Sequence, residues 1–192
     1  DFRDPKVSWY AAEKKWIMTL AVGDHISFFS SPNLKDWKFE SDFGKDTGAH
    51  GGVWECPDLF QLPVNGKADQ KKWVLIVNIN PGGPNGGSAT QYFVGEFDGI
   101  KFTNESTEIQ WADQGKDNYA TVTFSNIPVT DGRCISIGWL SNWQYAQLVP
   151  TGVWRSAMTM PRELKLISEN NKYILTSEIV KEIQVLRERK TE

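Results

Sequence analysis

Short apolar segments recur along this chain in groups of four, and their spacing limits the folds that it can adopt. The first group is Val7–Ala12, Lys15–Val22, His25–Ser31 and Trp37–Asp42, all rich in Val, Ile, Phe, Trp and Thr. Turn-forming residues such as Gly23-Asp24 and Ser31-Pro32-Asn33 separate its members. Consecutive short strands at hairpin spacing predict an antiparallel meander.

The same pattern occurs twice more, with a period of roughly 50–60 residues. The second group is Cys56–Val64, Lys72–Asn80, Gln91–Asp98 and Lys101–Glu105, and the looser third is Tyr119–Phe124, Arg133–Leu140, Ser156–Lys165 and Lys172–Val180. We expect insertions at Asn65–Gln70 and Asn80–Ser88. Repeated four-stranded units are typical of β-propeller blades. The sequence therefore predicts an all-β fold of about three four-stranded antiparallel propeller blades, near residues 1–45, 54–106 and 117–177.

Such a set of blades does not close a ring, because propellers generally have four or more. We therefore expect residues 1–177 to form a partial propeller, completed by N-terminal blades or by self-association. Asp1 lies inside a motif and no signal peptide precedes it, which predicts a processed or truncated chain. Residues 178–192 are interpreted as a solvated, charged C-terminal extension, either a short helix or a strand.

Composition restricts the classes of function. The chain contains 9 Trp, 10 Phe and 5 Tyr, which suits packed sheet faces and also sugar recognition by flat aromatic rings. The net charge of -3 offers no basic surface to nucleic acid, and no apolar run approaches the length of a membrane span. Cys56 and Cys134 have no partners at metal-ligand spacing, so we expect no metal, no cofactor and no disulfide framework.

Glu55 is the first candidate for chemistry. It lies between Trp54 and Cys56 at the start of an apolar strand-like run. Burial among these residues would raise its pKa and make it a proton donor near neutral pH. A strand-edge glutamate that points to solvent is the alternative interpretation.

Asp4, in Arg3-Asp4-Pro5, is the second candidate. Proline restricts the residue before it to an extended conformation, and the arginine can hold a neighbouring carboxylate ionised. Since the innermost strands of successive blades begin near the central axis, we place Asp4 and Glu55 at the same position of consecutive blades, where they would converge. An ionised Asp4 beside Glu55 would separate their pKa values and assign them stabiliser and acid roles. A generic Asp-Pro strand start is the alternative.

Two further segments could line a sugar pocket. Asp113, Asp117 and Tyr119 occupy the loop that enters the third predicted blade, at the equivalent position, and could bind hydroxyl groups. An ordinary polar turn is the alternative.

The segment Gly138-Trp139-Leu-Ser-Asn142-Trp143-Gln144-Tyr combines aromatic rings with amide side chains. Trp139 and Trp143 could stack on the apolar face of a sugar while Asn142 or Gln144 binds its hydroxyl groups. Core packing of the tryptophans is the alternative.

Taken together, these motifs resemble glycoside hydrolase family 32, which comprises invertases, inulinases and levanases. The resemblance rests on Asp1-Phe-Arg-Asp-Pro-Lys-Val, Trp54-Glu-Cys-Pro-Asp-Leu-Phe, Gln91-Tyr-Phe-Val-Gly-Glu-Phe-Asp-Gly, Asp113-Gln-Gly-Lys-Asp-Asn-Tyr-Ala, Gly138-Trp-Leu-Ser-Asn-Trp-Gln-Tyr and Trp154-Arg-Ser-Ala-Met-Thr-Met-Pro-Arg-Glu-Leu. It covers nearly the whole chain and is closest to bacterial levanase or exo-inulinase types. It implies a five-bladed propeller followed by a β-sandwich, and retaining hydrolysis of β-fructosidic bonds in levan, inulin or sucrose by a protein secreted to the extracellular space or periplasm.

The resemblance also implies roles for individual residues. Asp4 matches the family's Arg-Asp-Pro aspartate, a transition-state stabiliser that binds fructose hydroxyl groups, and Glu55 matches its Glu-Cys glutamate, the general acid/base. The predicted substrate-binding set is Arg3, Cys56, Asp113, Asp117, Tyr119, Trp139 and Trp143. The family's nucleophile, an aspartate in a Trp-Met-Asn-Asp-Pro-like stretch, is absent from this sequence, so we expect little or no turnover from these 192 residues alone.

Two alternatives remain open. One is a different five-bladed glycosidase, such as an inverting arabinanase-like enzyme, whose carboxyl groups would be roughly 6.5–9.5 Å apart rather than the roughly 5–5.5 Å of a retaining enzyme. The other is a non-catalytic carbohydrate-binding propeller, which would keep the aromatic residues without needing Glu55.

Overall fold

A computed structural model describes residues 1–187, and almost all of its regular structure is β-strand. The strands are β1 (Arg3–Tyr10), β2 (Lys15–Val22), β3 (His25–Ser31), β4 (Lys38–Phe43), β5 (Val53–Val64), β6 (Lys67–Asn80), β7 (Ala89–Phe97), β8 (Phe102–Asn104), β9 (Gln110–Trp111), β10 (Tyr119–Thr123), β11 (Cys134–Trp139), β12 (Arg162–Glu169) and β13 (Lys172–Ile179). A 3-10 helix, Lys181–Leu186, follows β13. Across residues 1–187, no helix has the length and apolar character needed to span a membrane.

The strands form three antiparallel groups of four, as predicted. Strands β1 to β4 pair in chain order as a separate sheet. Strands β5 to β8 and β10 to β13 pair in the same way within their groups, and β9 is added beside β7. One parallel pair, Val64 with Leu166, joins the second group to the third.

Strand β6 shows how the groups pack. Successive side chains of a strand point to opposite faces. Leu75, Val77 and Ile79 belong to an apolar core shared with β1 to β4, whereas Val74 and Ile76 belong to a second core shared with β12 and β13. Because the middle group is buried on both faces, its central strand is a nearly unbroken apolar run.

Some strand limits differ from the predicted ones. Most of the predicted insertion Asn65–Gln70 is strand, because Asn65 and Gly66, at φ 52° and 73°, form a tight turn and β6 begins at Lys67. The predicted strand Ser156–Lys165 begins only at Arg162, since Pro161 has no N–H for a strand ladder and Ser156 has a positive φ of 72°.

The segment after residue 177 contacts the third group. Strand β13 continues to Ile179, the Val180 N–H donates to the Pro161 carbonyl at 3.0 Å, and Arg133 pairs with Glu182 at 2.9 Å. The domain boundary at residue 177 stays a prediction, and the last five positions of the predicted extension, 188–192, lie outside the described residues.

Candidate active site

The first strands of the three groups, β1, β5 and β10, share an irregularity near their beginnings. In each strand, one extra residue interrupts the pairing with the neighbouring strand. The interruption lies between Arg3 and Lys6 in β1, between Glu55 and Asp58 in β5, and between Tyr119 and Val122 in β10. The second residue of each irregular segment has a positive φ: 57° for Asp4, 44° for Cys56 and 52° for Ala120. The prediction that Pro5 keeps Asp4 extended is therefore wrong, because the bulge places Asp4 in the left-handed region. Such β-bulges bend a strand and redirect its side chains, and positive φ is uncommon for residues other than glycine.

These bulges correct the predicted equivalence of the two carboxylates. Arg3, Glu55 and Tyr119 each precede the positive-φ residue, so these three positions correspond. Asp4 instead corresponds to Cys56. The prediction that Asp4 and Glu55 occupy the same position is therefore wrong by one residue, because Pro5 follows Asp4 as Pro57 follows Cys56.

Glu55 is held at both carboxylate oxygens. Arg3 Nη2 donates to Oε1 at 2.7 Å, and the hydroxyl of the buried Tyr119 donates to Oε2. The side chain of Glu55 is 20% exposed. Burial raises its pKa above the ordinary value, the Arg3 guanidinium lowers it and the Asp4 carboxylate raises it, and the net direction is upward. The predicted proton donor thus lies in an environment that favours its protonated form.

Asp4 contacts the backbone of β5 at Cys56, the residue after Glu55. Its Oδ2 accepts the Cys56 N–H at 3.0 Å and lies 3.9 Å from Arg3 Nε. The Cys56 thiol is 3.6 Å from the same oxygen, and burial together with Asp4 raises the pKa of this thiol to about 12. Cys56 therefore remains a protonated thiol that donates to Asp4 rather than a thiolate nucleophile.

A second charged contact lies one step further along the same strands. Lys6 Nζ is 3.2 Å from Asp58 Oδ2 and donates to the Thr123 carbonyl at 2.7 Å. The same Asp58 oxygen accepts the N–H and the hydroxyl of Thr123, each at 2.7 Å. Asp58 is 1% exposed. This ion pair joins β1, β5 and β10, and the sequence reasoning did not identify it.

An aromatic row extends from Tyr119 towards solvent. The ring centroid of Trp139 is 6.4 Å from that of Tyr119 and 5.0 Å from that of Trp143. Trp143 is 47% exposed. Of the two predicted stacking residues, Trp139 therefore lies beside Tyr119, which contacts Glu55, and Trp143 lies beside Trp139.

Asn142 is not available to a sugar. It is fully buried, and its amide donates to the carbonyls of Ser88 and Lys116, both at 2.9 Å, while its oxygen accepts the N–H of Gln144 at 2.9 Å. The hydroxyl-binding prediction is wrong for Asn142, because these backbone groups use its amide to hold the loop.

The two aspartates of the loop before β10 have other surroundings than the two carboxylates. Asp113 Oδ1 accepts the Gly115 N–H at 2.7 Å and Oδ2 accepts the Asn118 amide at 3.4 Å, which stabilises the turn. Asp117 is exposed. Among the described contacts, neither bonds to Asp4 or Glu55, and their binding of substrate stays a prediction.

Residues 1–187 contain no group of three or more His, Cys, Asp or Glu side chains arranged to hold a metal ion. The chemistry that this arrangement supports is proton transfer by Glu55 next to a carboxylate that can accept hydroxyl hydrogen bonds.

Comparison with known proteins gives consistent matches. Residues 1–177 match the glycosyl hydrolases family 32 N-terminal domain. The chain is 54% identical to the levanase of Bacillus subtilis over 189 residues, covering 97% of this chain and 28% of the levanase. It is 44% identical to the extracellular exo-inulinase inuE of Aspergillus niger, covering 93% of this chain and 34% of the inulinase.

Among solved structures, the fructofuranosidase of Schwanniomyces occidentalis complexed with fructose superimposes with a TM-score of 0.84 at 38% identity, over 94% of this chain and 36% of that one. The chain therefore spans about a third of the length of the relatives that it matches.

Proposed function

Because the chain belongs to glycosyl hydrolase family 32, we propose that it supplies the acid/base part of the active site of a β-fructosidase acting on levan, inulin or sucrose. One observation carries this proposal. Glu55 lies between Arg3 and Tyr119, beside Asp4, in surroundings that raise its pKa. A general acid/base works best when its pKa lies near the working pH.

In the first step, Glu55 gives its proton to the glycosidic oxygen as the bond from that oxygen to the anomeric carbon of fructose breaks. The aspartate nucleophile that the family resemblance implies, which this sequence does not contain, attacks the anomeric carbon and forms a covalent fructosyl intermediate. In the second step, the Glu55 carboxylate takes a proton from water while the water oxygen attacks the anomeric carbon. Fructose leaves, the nucleophile is free again, and Glu55 is reprotonated.

The contacts of Glu55 support both steps. Burial and Asp4 favour the protonated form that the first step needs. Arg3 and Tyr119 donate hydrogen bonds to the carboxylate that the second step needs. Asp4 would accept hydrogen bonds from fructose hydroxyl groups, and the exposed face of Trp143 would stack on a sugar ring. We further propose that the whole protein is secreted, as the relatives named extracellular are, and that additional propeller blades complete the site.

The stereochemistry of the product tests this function. The full-length protein that contains this chain is incubated with levan, inulin or sucrose, and the first fructose released is observed by NMR before its anomers interconvert. We expect β-fructose, the product of retention. Release of the α-anomer first would identify an inverting enzyme instead. Binding of a fructan without release of fructose would identify a carbohydrate-binding propeller.

A further inference from the structure

Asn78 is a buried amide directly behind the candidate site. It lies in β6, where it pairs in register with Glu55 of β5, and it is fully buried. Its neighbours in β6, Val77 and Ile79, are apolar and equally buried. A buried amide costs free energy unless its hydrogen bonds are made, so its partners show what it contributes.

All the partners that this amide needs belong to β5, β7 and β10. Its Nδ2 donates to the Cys56 carbonyl at 3.1 Å and to the Thr121 carbonyl at 3.3 Å. Its Oδ1 accepts the Thr121 N–H at 3.1 Å and the Thr90 hydroxyl at 2.6 Å. The amide thus uses both donor hydrogens and both acceptor positions.

These contacts hold two of the three bulges. A bulge leaves its extra residue outside the strand ladder, so the peptide groups there lack regular partners. The Cys56 carbonyl belongs to the residue that follows Glu55, and Thr121 follows the positive-φ residue Ala120 of β10. Asn78 therefore supplies side-chain partners to the backbone that carries Glu55 and to the backbone that carries Tyr119.

We propose that Asn78 is a positioning residue for the acid/base Glu55. It fixes the bulge of β5 against the bulge of β10, so that the Glu55 carboxylate stays within reach of the Tyr119 hydroxyl. This role rests on the proposed β-fructosidase function. Asn78 itself does not touch the substrate.

The first test is Asn78→Ala in the full-length protein. A displacement of a catalytic group by about 1 Å can lower a rate by about 10²-fold. We expect kcat to fall by about that factor while KM changes by less than about threefold. The matched control is Gln91→Ala, which removes another fully buried amide, from β7, whose oxygen accepts the Ala49 N–H at 2.9 Å. The control should lose thermal stability while keeping kcat within about twofold.

The second test is Asn78→Asp, which keeps the shape of the side chain. When ionised, the introduced carboxyl group has no donor for the Cys56 carbonyl. When protonated, its O–H can donate to that carbonyl, and burial raises its pKa into the accessible range. We therefore expect the ratio of kcat for Asn78→Asp to kcat for the unsubstituted protein to rise by about tenfold as the pH is lowered. Asn78→Ala should show no such recovery.

The outcomes separate the two proposals. If the unsubstituted protein releases fructose and Asn78→Ala loses no more kcat than Gln91→Ala, the positioning role is wrong and the proposed function stands. A pH-independent ratio for Asn78→Asp would also contradict the positioning role. An unsubstituted protein that releases no fructose would overturn the proposed function, and the role of Asn78 with it.

Discussion

The neighbours of Glu55 shift its pKa in opposite directions. Burial and the Asp4 carboxylate raise its pKa, whereas the Arg3 guanidinium, 2.7 Å away, lowers it. A residue that serves first as an acid and then as a base needs such a balance. A very low pKa would leave no proton for the first step, and a very high pKa would leave no carboxylate for the second. Arg3 is therefore the neighbour whose removal should most directly change the pH range of activity.

We predict that Arg3→Gln shifts the high-pH limb of kcat/KM to higher pH. The acid step needs protonated Glu55, so activity falls as the pH rises through its pKa, and loss of Arg3 raises that pKa further. The overall rate also falls, because Arg3 is expected to bind substrate.

The pH profile of fructose release by the full-length protein measures this shift. Lys45→Gln is the control, since it removes a positive charge that pairs with Asp42 in the same four-stranded sheet. The control should leave the limb in place. A limb that stays fixed or moves to lower pH in Arg3→Gln would contradict the assignment of Glu55 as the acid.

Individual site residues were predictable from the sequence where they lie in short motifs. Arg3, Asp4, Glu55 and Tyr119 lie in recognisable motifs, and the structure brings them together. Asn142 also lies in a motif, but its burial depends on the loops around Ser88 and Lys116, which are distant in sequence.

Among the elements, β1, β5 and β10 are joined by one charged contact. Lys6 of β1 lies 3.2 Å from Asp58 of β5, and the same carboxylate oxygen accepts two hydrogen bonds from Thr123 of β10. Asp58 is 1% exposed, so removal of its cation leaves a buried charge with fewer partners. Asp58 is also three positions after Glu55, which makes this contact relevant to the register of the site.

We predict that Lys6→Met destabilises the protein by about 3–5 kcal/mol, the usual cost of breaking a buried ion pair on one side. The free energy of unfolding of the full-length protein in urea measures this change. Lys172→Met is the matched control, because Lys172 pairs with Glu108, the two side chains are 62% and 63% exposed, and such surface pairs contribute less than about 1 kcal/mol. Equal effects of the two substitutions would show that the contact does not join the strands.

The strands themselves were largely predictable from alternating apolar residues and turn residues, but the bulges were not. A bulge adds one residue without changing the local composition, so no sequence pattern indicated it. The offset between Asp4 and Glu55 did have a signal, because aligning Pro5 with Pro57 places Asp4 at the position of Cys56. Asn78 had a visible signal, a polar residue in the apolar run of β6, but its partners in β5 and β10 appear only in the folded sheets.

In the whole molecule, the middle group of strands is buried on both faces and carries Glu55 and Asn78 together. This rigid support suits an acid/base residue, whose position must be held closely. The chain spans about a third of the length of its relatives, and the family resemblance assigns the nucleophile to a segment that this sequence does not contain. We therefore propose that Glu55 performs the proton transfers of a double displacement whose nucleophile lies elsewhere in the whole protein.

The most direct test of this claim compares two leaving groups in the full-length Glu55→Gln variant. With sucrose, the leaving oxygen needs a proton. We therefore predict that release of the leaving sugar in the first turnover slows by about 10²–10⁴-fold. With β-fructosyl fluoride, fluoride leaves without full protonation, so its release in the first turnover, which precedes the step that needs Glu55 as base, should slow by less than about tenfold in the same variant. Equal losses on both substrates, or an unchanged rate on sucrose, would contradict the role of Glu55 as the acid.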